Sequence, residues 1–405
     1  MLETVEDGHE ADIALLERLV VQNSGTHNHA GVRAVADMLI PEFEALGFTT
    51  QWIDQSAQGR AGHLFARHEG GTGTKMLLIA HMDTVFEPES PFQGFVREGG
   101  RATGPGVEDD KGGIVVILSA LKAMQAAGTL AGANIAVALT GDEEDAGKPL
   151  EAARADLVAA AEWADVALDF EGLVQTDGRD MGSVARRSSN NWTLTVEGRT
   201  GHSSGIFSEA QGYGAIYELA RILDRFRQEL PEENLTYNVG FAAGGTPATM
   251  GDDRLSAQTA GKTNIIPSTA VARGDLRTLT QEQTERVVAA MQAIVADSLS
   301  GTSAAIAFEY RYPPMAPTDG NLALLGKLND VNADMGLEPM DVFPPSRRGA
   351  GDINFVAHLV DGIAGLGPNG ALGHAPGENV DLGSFIRQAQ RAAILMSRLS
   401  AEPRS

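Results

Sequence analysis

The sequence has no cysteine among its 405 residues. This absence excludes disulfide bonds, thiol catalysis and thiolate metal ligands. Any metal site must therefore be built from imidazoles and carboxylates, and nine histidines are present. Long apolar runs are missing as well, since none approaches the roughly 20 residues that a helix needs to cross a bilayer.

Basic residues are scarce, because 31 Lys and Arg stand against 54 Asp and Glu and leave a formal net charge of −23. So acidic a surface repels phosphate groups, which argues against a nucleic-acid partner and against binding to an anionic membrane. The start, MLETVEDGHE, is acidic and has no apolar segment, so we expect no signal peptide in the chain as it stands.

Apolar periodicity predicts strands that alternate with helices in the first 170 residues. Helical spacing of apolar residues covers 10–22, 31–46 and 112–127, whereas uniformly apolar runs at 75–80 and 134–140 are typical of buried strands. Strands that alternate with helices form a mostly parallel sheet that helices cover on both faces. We therefore predict an α/β fold for this part and for the last part of the chain.

The pattern changes near residue 190. Residues 191–197 alternate polar and apolar side chains, which is typical of an antiparallel strand with one solvated face. A helix is predicted at about 211–227, and strands are predicted near 236–242 and 270–277. The predicted order of elements from residue 191 to residue 310 is thus β-α-β-β-α-β, the order of a ferredoxin-like open-faced sandwich. We therefore predict an α/β domain in two parts, residues 1–189 and 313–405, with an α+β domain inserted at 190–312.

Acidic and histidine clusters follow the predicted strands of the α/β domain. There are five of them: His81-Met82-Asp83, Glu108-Asp109-Asp110, Asp142-Glu143-Glu144-Asp145, Asp169-Phe170-Glu171, and His374 within GPNGALGHAPGE. Each one alone is typical of a solvated loop or of a surface histidine. Five at successive strand ends indicate a shared site, because the carboxyl ends of parallel strands meet at one edge of a sheet.

Two imidazoles and several carboxylates are a ligand set for Zn²⁺, Mn²⁺ or Co²⁺. In an extended His81-x-Asp83 the two side chains point the same way, so Asp83 can hold the second ring nitrogen of a ligating His81. Three consecutive acids before the glycines at 112–113 favour a cation over a phosphate. Two ions that share a carboxylate can activate a water molecule and polarise a carbonyl, which predicts hydrolytic chemistry.

Eight stretches, taken together, resemble the M20 metallopeptidase family and, within it, the glutamate carboxypeptidase (carboxypeptidase G2-like) branch. They are LLIAHMDTV, GPGVEDDKGG, TGDEED, DFEG, GRTGHSS, TNIIP, GDLR and the late GH, in the family's order between residues 75 and 380. The resemblance implies a dinuclear zinc hydrolase that cleaves a peptide or amide bond beside a free carboxylate. An N-acyl-amino-acid deacylase or a dipeptidase of the same family is the alternative, and a non-catalytic metal-binding protein on this fold is the alternative of another class. The resemblance also favours a periplasmic chain over a cytoplasmic one.

The resemblance further implies which residues bind two Zn²⁺ ions per subunit, or Co²⁺ or Mn²⁺ in their place. Metal roles carry over to His81, Asp109, Glu144, Glu171 and His374. His81 and Glu171 would bind one ion, Glu144 and His374 the other, and Asp109 both. Asp109 is the expected bridge because it stands two residues before the lysine of D-x-K-G-G.

Catalytic roles carry over in the same way. Glu143 would be the general base that takes a proton from water and delivers it to the leaving amine. Asp83 would be the partner that orients His81. Asp169 remains an alternative to Glu171 as the metal ligand after the fourth strand, since other branches use Asp near this position.

The inserted domain resembles the family's lid and dimerisation domain, which implies a homodimer. His202 in GRTGHSS would reach across the dimer to the substrate carbonyl and act as an oxyanion donor. Asn264 and Arg277 would hold the terminal carboxylate of a small peptide or N-acyl amino acid substrate. Two arginine pairs, at 186–187 and 347–348, depart from the branch's pattern and leave the cleaved side chain unassigned.

Overall fold

The computed structural model describes residues 1–402, and these form two compact units. The first unit comprises Met1–Ala185, Pro317–Pro344 and the described residues from Gly351 onward. The second unit comprises Arg186–Ala316 and Pro345–Ala350. No helix in this described part is both long and apolar enough to span a membrane.

Nine α-helices lie within residues 1–402. They are α1 (Leu2–Val21), α2 (His29–Ala45), α3 (Lys111–Ala126), α4 (Leu150–Ala153), α5 (Ala155–Trp163), α6 (Ala215–Glu229), α7 (Gln281–Ala296), α8 (Asp319–Asp334) and α9 (Leu382–Ala401). Side chains that accept a backbone N–H mark several of their starts. At α7 the Thr280 hydroxyl accepts from the N–H of Gln283 at 3.1 Å, and such a cap stabilises a helix by about 1 kcal/mol.

The strands of the same residues are mostly short, and the three longest, β10, β15 and β16, belong to the second unit. They are β1 (Thr49–Asp54), β2 (Gly62–Glu69), β3 (Lys75–His81), β4 (Val96–Glu98), β5 (Arg101–Thr103), β6 (Asn134–Thr140), β7 (Val166–Asp169), β8 (Gln175–Thr176), β9 (Arg179–Gly182), β10 (Ser189–Gly198), β11 (Thr236–Tyr237), β12 (Phe241–Gly245), β13 (Ala248–Met250), β14 (Ala257–Thr259), β15 (Thr269–Arg277), β16 (Thr302–Tyr312), β17 (Asp341–Val342), β18 (Asp361–Ile363), β19 (Gly370–Ala371) and β20 (Asn379–Asp381).

The first unit is built on a six-stranded sheet in the order β1-β2-β6-β3-β7-β18. The pairings among β6, β3, β7 and β18 are parallel, whereas β1 and β2 form an antiparallel hairpin that pairs antiparallel with β6. The predicted α/β fold is therefore confirmed. His81 at the end of β3 lies opposite Thr140 at the end of β6, so the acidic segments that follow these strands emerge at the same edge of the sheet.

The core of this unit holds the sheet edge in place. All seven residues of β6 are buried, and α3 is buried on nearly all sides because it contacts β3, α1 and α9. A helix that is apolar all round is typical of such an interior position. Ile114, Ile117 and Leu121 of α3 are fully buried, and each contributes about 1.5–3 kcal/mol relative to an exposed position. This packing fixes the start of α3, directly after the loop that carries Asp109.

The second unit is an antiparallel sheet in the order β11-β15-β10-β16, in which β12 also pairs with β15. Helices α6 and α7 pack on one face, where Trp192 and Phe226 meet edge to face at 6.1 Å between ring centroids. The elements β10, α6, β11 with β12, β15, α7 and β16 follow the predicted order β-α-β-β-α-β, and the short β13–β14 pair is an addition that the sequence did not predict. The helix predicted from residue 211 begins only at Ala215, because Gly214 before it has a φ of +74° that no helical residue adopts.

Candidate metal centre

His81 and Asp109 meet at the sheet edge that the sequence singled out. His81 is the last residue of β3 and is buried, while Asp109 lies in the loop before α3. The Nδ1 atom of His81 faces Asp83, at 3.1 Å from its backbone oxygen and 3.4 Å from Oδ1. The other ring nitrogen, Nε2, therefore points to Asp109, whose Oδ1 lies at 2.9 Å.

The second oxygen of Asp109 faces the other predicted histidine. His374 Nε2 lies 3.1 Å from Asp109 Oδ2 and 2.9 Å from Glu144 Oε2. Asp109 thus places each of its two oxygens against a different imidazole. Ligand atoms of His81, Asp109 and Glu144 all lie within 4.8 Å of one another, and these three residues form the group in the described part of the chain that is able to hold a metal ion.

The donor set fits a pair of transition-metal ions. Two imidazoles and at least two carboxylates, with no thiolate, suit Zn²⁺, Mn²⁺ or Co²⁺. A carboxylate with both oxygens directed at separate imidazoles has the arrangement that a shared ligand of two ions needs. The residues present therefore fit the dinuclear centre that the sequence predicts.

Proton affinities in the cluster are strongly shifted. Burial alone would raise the pKa of Asp109, but hydrogen bonds from His374 and His81 outweigh it and hold that pKa well below its usual range. The same hydrogen bond to Asp109, with one to Glu144, raises the pKa of His374 to about 11. Burial opposes the charged form of His81, yet its hydrogen bonds to Asp109 and Asp83 raise its pKa well above the usual value. Both imidazoles therefore carry a proton that a divalent ion would have to displace.

Asp83 has more partners than the sequence suggested. Its Oδ1 accepts from the backbone N–H of Glu143 at 3.0 Å, and its Oδ2 accepts from the N–H of Glu144 at 3.2 Å. The Thr26 hydroxyl donates to the same Oδ2 at 2.7 Å. Asp83 therefore orients His81 and also fixes the backbone of both glutamates after β6.

Glu143 and Glu144 have raised pKa values. For Glu143 the main cause is burial, and the nearby carboxylates of Glu171, Glu144 and Asp352 add to it. For Glu144, burial and the charge of Asp109 raise the pKa to about 7, against the hydrogen bond from His374. The charge of His81 lowers the pKa of both carboxyls, but burial outweighs it, and a bound divalent ion would favour their ionised forms further.

The two candidates after β7 differ in position. Asp169 is the last residue of β7 and is buried, whereas Glu171 is partly exposed. Glu171 acts electrostatically on Glu143, which places it beside the cluster. Glu171 is not among the three described residues whose ligand atoms lie within 4.8 Å of one another. Its role as a metal ligand, with Asp169 as the alternative, stays a prediction.

Sequence reasoning missed a buried ion-pair network beside the acidic loop. Arg154 Nη1 lies 2.6 Å from Asp142 Oδ1, and its Nε lies 2.9 Å from Asp352 Oδ1. Arg154 Nη2 also donates to the backbone oxygen of Asp142 at 3.1 Å. Asp142 Oδ2 in turn accepts from the N–H of Gly147 at 2.7 Å. The network holds both ends of the loop that carries Glu143. The only signal for it in the sequence is the acidic run at 142–145.

Two predicted residues of the second unit lie together. His202 forms an isolated antiparallel bridge with Ile265, and the N–H of Ser203 donates to the backbone oxygen of Asn264 at 2.9 Å. Both His202 and Asn264 are exposed. The N–H of Ser204 donates to His202 Nδ1 at 3.2 Å. The neutral ring therefore carries its proton on Nε2, which makes that atom a hydrogen-bond donor.

Arg277 lies far from these two residues. It ends β15, where its Nε donates to Asp275 Oδ2 at 3.0 Å. His202 and Asn264 lie beyond the other end of the strand, which begins at Thr269. Eight residue steps at ~3.3 Å each separate the ends of β15 by about 26 Å. The structure therefore does not bring Arg277 to His202 or Asn264 within one chain.

The unassigned arginines of the second unit tie its two segments together. Arg186 donates from Nε to the backbone oxygen of Gly349 at 2.7 Å and from Nη2 to that of Ala350 at 2.6 Å. Arg187 donates from Nη2 to the backbone oxygen of Ser346 at 2.7 Å. Both arginines are buried. These bonds attach the segment at 345–350 to the residues just before β10.

Comparisons with known proteins identify the family of the chain. The sequence matches Peptidase family M20/M25/M40 over residues 77–398. Carboxypeptidase G2 of Pseudomonas sp. (strain RS-16) is 28% identical over 282 residues, which cover 68% of this chain and 62% of that protein. The match thus spans less than two thirds of the length of carboxypeptidase G2. A succinyl-diaminopimelate desuccinylase of Verminephrobacter eiseniae is 27% identical over 391 residues, or 90% of this chain and 91% of that protein.

Solved structures share the fold. The aminopeptidase PepT of Bacillus cereus superposes with a TM-score of 0.74 at 18% identity, covering 96% of this chain and 98% of that one. At so low an identity the likeness concerns the arrangement of helices and strands. It leaves the substrate to be argued from the residues of the site.

Proposed function

The chain belongs to peptidase family M20/M25/M40, and we propose that it is a dinuclear zinc exopeptidase of the glutamate carboxypeptidase type. As a member of this family it is a metal-dependent hydrolase of peptide or amide bonds in small substrates. The proposed reaction removes a C-terminal residue that carries a free carboxylate. The proposed metal is zinc, with Co²⁺ or Mn²⁺ as ions that the same ligands accept.

The position of Asp109 supports the dinuclear centre most strongly. Its two oxygens face His81 at 2.9 Å and His374 at 3.1 Å. In the proposed centre Glu171 completes the ligands of the ion at His81, and Glu144 completes those of the ion at His374. When bound, two such ions supply Lewis-acid polarisation of a carbonyl and a lowered pKa for water.

Glu143 is the proposed general base. Its backbone N–H is fixed by Asp83 Oδ1 at 3.0 Å, and burial raises the pKa of its carboxyl well above the usual value. A carboxylate with a raised pKa is a stronger base than a free one, so in its ionised form it is suited to take a proton from the attacking water and then deliver it to the leaving nitrogen. The water oxygen bonds to the carbonyl carbon, the C–N bond breaks, and the amine leaves with the proton from Glu143.

The second unit is proposed to act as a lid that works across a homodimer. Arg277 ends β15, and His202 lies beyond the other end of this strand, which is about 26 Å long, so one small substrate would not reach both in the same chain. In a homodimer the partner's His202 and the partner's Asn264 would instead meet a substrate held by Arg277 of the first chain. Nε2 of His202, protonated in the neutral ring, would then stabilise the oxyanion. Arg277 would pair with the terminal carboxylate through two parallel donors.

A substrate panel tests the proposal. The metal-free protein, reloaded with Zn²⁺, is assayed on an N-acylated or folate-type glutamate conjugate, on succinylated amines, and on dipeptides with a free amino group. We expect the glutamate conjugates to be hydrolysed most efficiently. The matched control is the same conjugate with its terminal carboxylate amidated, which should lose most of its kcat/KM because Arg277 no longer has a carboxylate partner.

Three results would contradict the proposal in different ways. Efficient hydrolysis of succinylated amines alone would make the chain a deacylase that uses the same centre. Equal rates on the carboxylate and its amide would remove the terminal carboxylate from recognition. A protein that binds zinc and hydrolyses none of these compounds would be a non-catalytic member of the fold.

A further inference from the structure

Glu378 connects the two segments that carry the shared ligand and the second histidine. It stands four residues after His374 and is only 1% exposed. Its carboxylate accepts three backbone N–H groups of the loop before α3. Oε2 accepts from Gly106 at 2.9 Å, and Oε1 accepts from Glu108 at 2.9 Å and from Asp109 at 3.0 Å.

The main chain of Glu378 reinforces the connection. Its backbone oxygen accepts from the N–H of Gly104 at 3.1 Å. The next residue, Asn379, begins β20, which pairs antiparallel with β5 through Asn379 and Thr103. The loop from 104 to 109 is thus bound along its whole length to the segment that follows His374.

The loop is shaped to present its N–H groups to this carboxylate. Successive backbone N–H groups that converge on one point form a concave anion site, and hydrogen bonds to a charged acceptor are roughly twice as strong as neutral ones. Gly106, whose N–H bonds to Glu378 Oε2, has a φ of +80°, a backbone conformation that favours glycine. A Cβ at Gly106 would also meet Thr84 Cγ2 at 2.9 Å, so the close approach of this turn depends on glycine.

We propose that Glu378 is a positioning residue of the metal centre, because it holds Asp109 where both of its oxygens can face an imidazole. One of the three N–H groups that bond to Glu378 belongs to Asp109 itself. This hydrogen bond fixes the backbone nitrogen of Asp109, which is bonded to the Cα that carries the ligating side chain. The same residue follows His374 in the chain, so one side chain sets the spacing of two ligands. This inference rests on the proposed dinuclear centre. Burial raises the pKa of Glu378 to about 7 although the three N–H groups favour its charged form.

Zinc binding to the metal-free protein tests the role. Zn²⁺ is titrated by calorimetry into the wild-type chain and into the Glu378→Ala and Glu378→Gln variants. Loss of an outer partner of a metal ligand weakens metal affinity by about 10–100-fold, so we expect that loss for Glu378→Ala. In Glu378→Gln the amide oxygen can still accept two of the N–H groups, but the amide NH₂ faces the third N–H and cannot accept from it. The loss of zinc affinity should therefore be smaller than in Glu378→Ala.

Asp381→Asn is the matched control. Asp381 belongs to the same segment and also accepts a backbone N–H, from Gly383 at 3.1 Å at the start of α9. That bond does not touch the loop at 104–109. The control should therefore lower stability slightly and leave zinc affinity within about twofold of the wild type. An equal loss of affinity in Asp381→Asn would show a general effect of the segment and overturn the proposal.

Amide hydrogen exchange supplies a readout that needs no metal. In the metal-free Glu378→Ala variant, the N–H groups of Gly106, Glu108 and Asp109 should exchange faster, with protection elsewhere in the first unit unchanged. A variant with a lowered Tm but wild-type zinc affinity would make Glu378 merely structural and overturn the inference. If the wild-type chain itself binds no zinc, the proposed function fails, and the exchange experiment still decides whether Glu378 holds the loop.

Discussion

Replacing Arg154 should destabilise the first unit more than almost any other single change. Arg154 is 2% exposed and lies between Asp142 and Asp352, which are 0% and 2% exposed. In Arg154→Met the apolar stem remains, but two carboxylates are left in the interior without their guanidinium. Removal of one partner from a buried ion pair costs roughly 3–5 kcal/mol, and this arginine serves two acids, so we expect a loss at or above about 4 kcal/mol.

Urea unfolding at pH 7 measures this loss, and a surface pair supplies the control. Arg33 Nη2 lies 2.7 Å from Asp37 Oδ1 one turn along α2, and both side chains are well exposed. Asp37→Asn removes this pair and leaves Arg33 over the Trp52 ring, so it should change the free energy of unfolding by only about 0.3–0.5 kcal/mol, as exposed helical pairs do. A loss below 1 kcal/mol in Arg154→Met would refute the reasoning, because it would mean that the two acids are solvated or protonated without cost.

The same variant should also affect the rate. Arg154 binds the side chain and the backbone oxygen of Asp142, the residue before Glu143. A looser loop misplaces the proposed base, and misplacement of a reacting group by about 1 Å costs on the order of 10²-fold in rate. We therefore expect kcat to fall in the folded Arg154→Met protein while KM changes little. An unchanged kcat would separate this network from catalysis.

Four further results follow from the centre. Asp109→Ala should lose most bound metal and essentially all activity, since both ions lose a ligand; two retained metal equivalents would contradict the bridge. Glu143→Gln should keep its metal and lose roughly 10²–10⁴-fold in kcat; unchanged kcat would remove the base. The raised pKa values of His81 and of His374, the latter about 11, mean that both rings are protonated below these values and must lose their protons to bind metal. Zinc affinity should therefore rise with pH, with about two protons released on loading, measured by calorimetry in buffers of different ionisation enthalpy. His202→Ala should lower kcat by about 10²–10³-fold, and its mixture with Glu143→Gln subunits should regain activity by subunit exchange, which a donor acting in its own chain could not produce.

Local sequence patterns predicted the elements well where burial is uniform. The apolar runs at 75–80 and 134–140 became β3 and β6 within a residue at each end. The strand predicted at 236–242 is instead two strands, β11 and β12. Between them the N–H groups of Asn238 and Gly240 donate to backbone oxygens of β15 without forming a regular ladder. Where a strand ends depends on its partner strand, and the sequence of one segment does not reveal that partner.

The cluster of His81, Asp109 and Glu144 could be predicted because each residue lies in a short, recognisable motif. His81 and Glu144 follow predicted parallel strands, Asp109 lies in the loop before a helix, and the carboxyl ends of parallel strands lie at one edge of the sheet. The residues that hold them were not predictable. Arg154 and Glu378 act over separations of 12 and 269 residues, to Asp142 and to the N–H of Asp109 respectively, and nothing in the neighbouring sequence marks either as buried.

The acidic composition and the proposed anionic substrate are compatible for a physical reason. A net charge of −23 repels an anion at long range, but at physiological salt this field is screened beyond about 8 Å. Binding is then decided by charges closer than that distance. Burial raises the pKa values of Glu143 and Glu144 and so disfavours further negative charge in the cluster. In the proposed centre two divalent ions would add positive charge at this position. Metal loading would then favour a substrate carboxylate nearby as well as activate water.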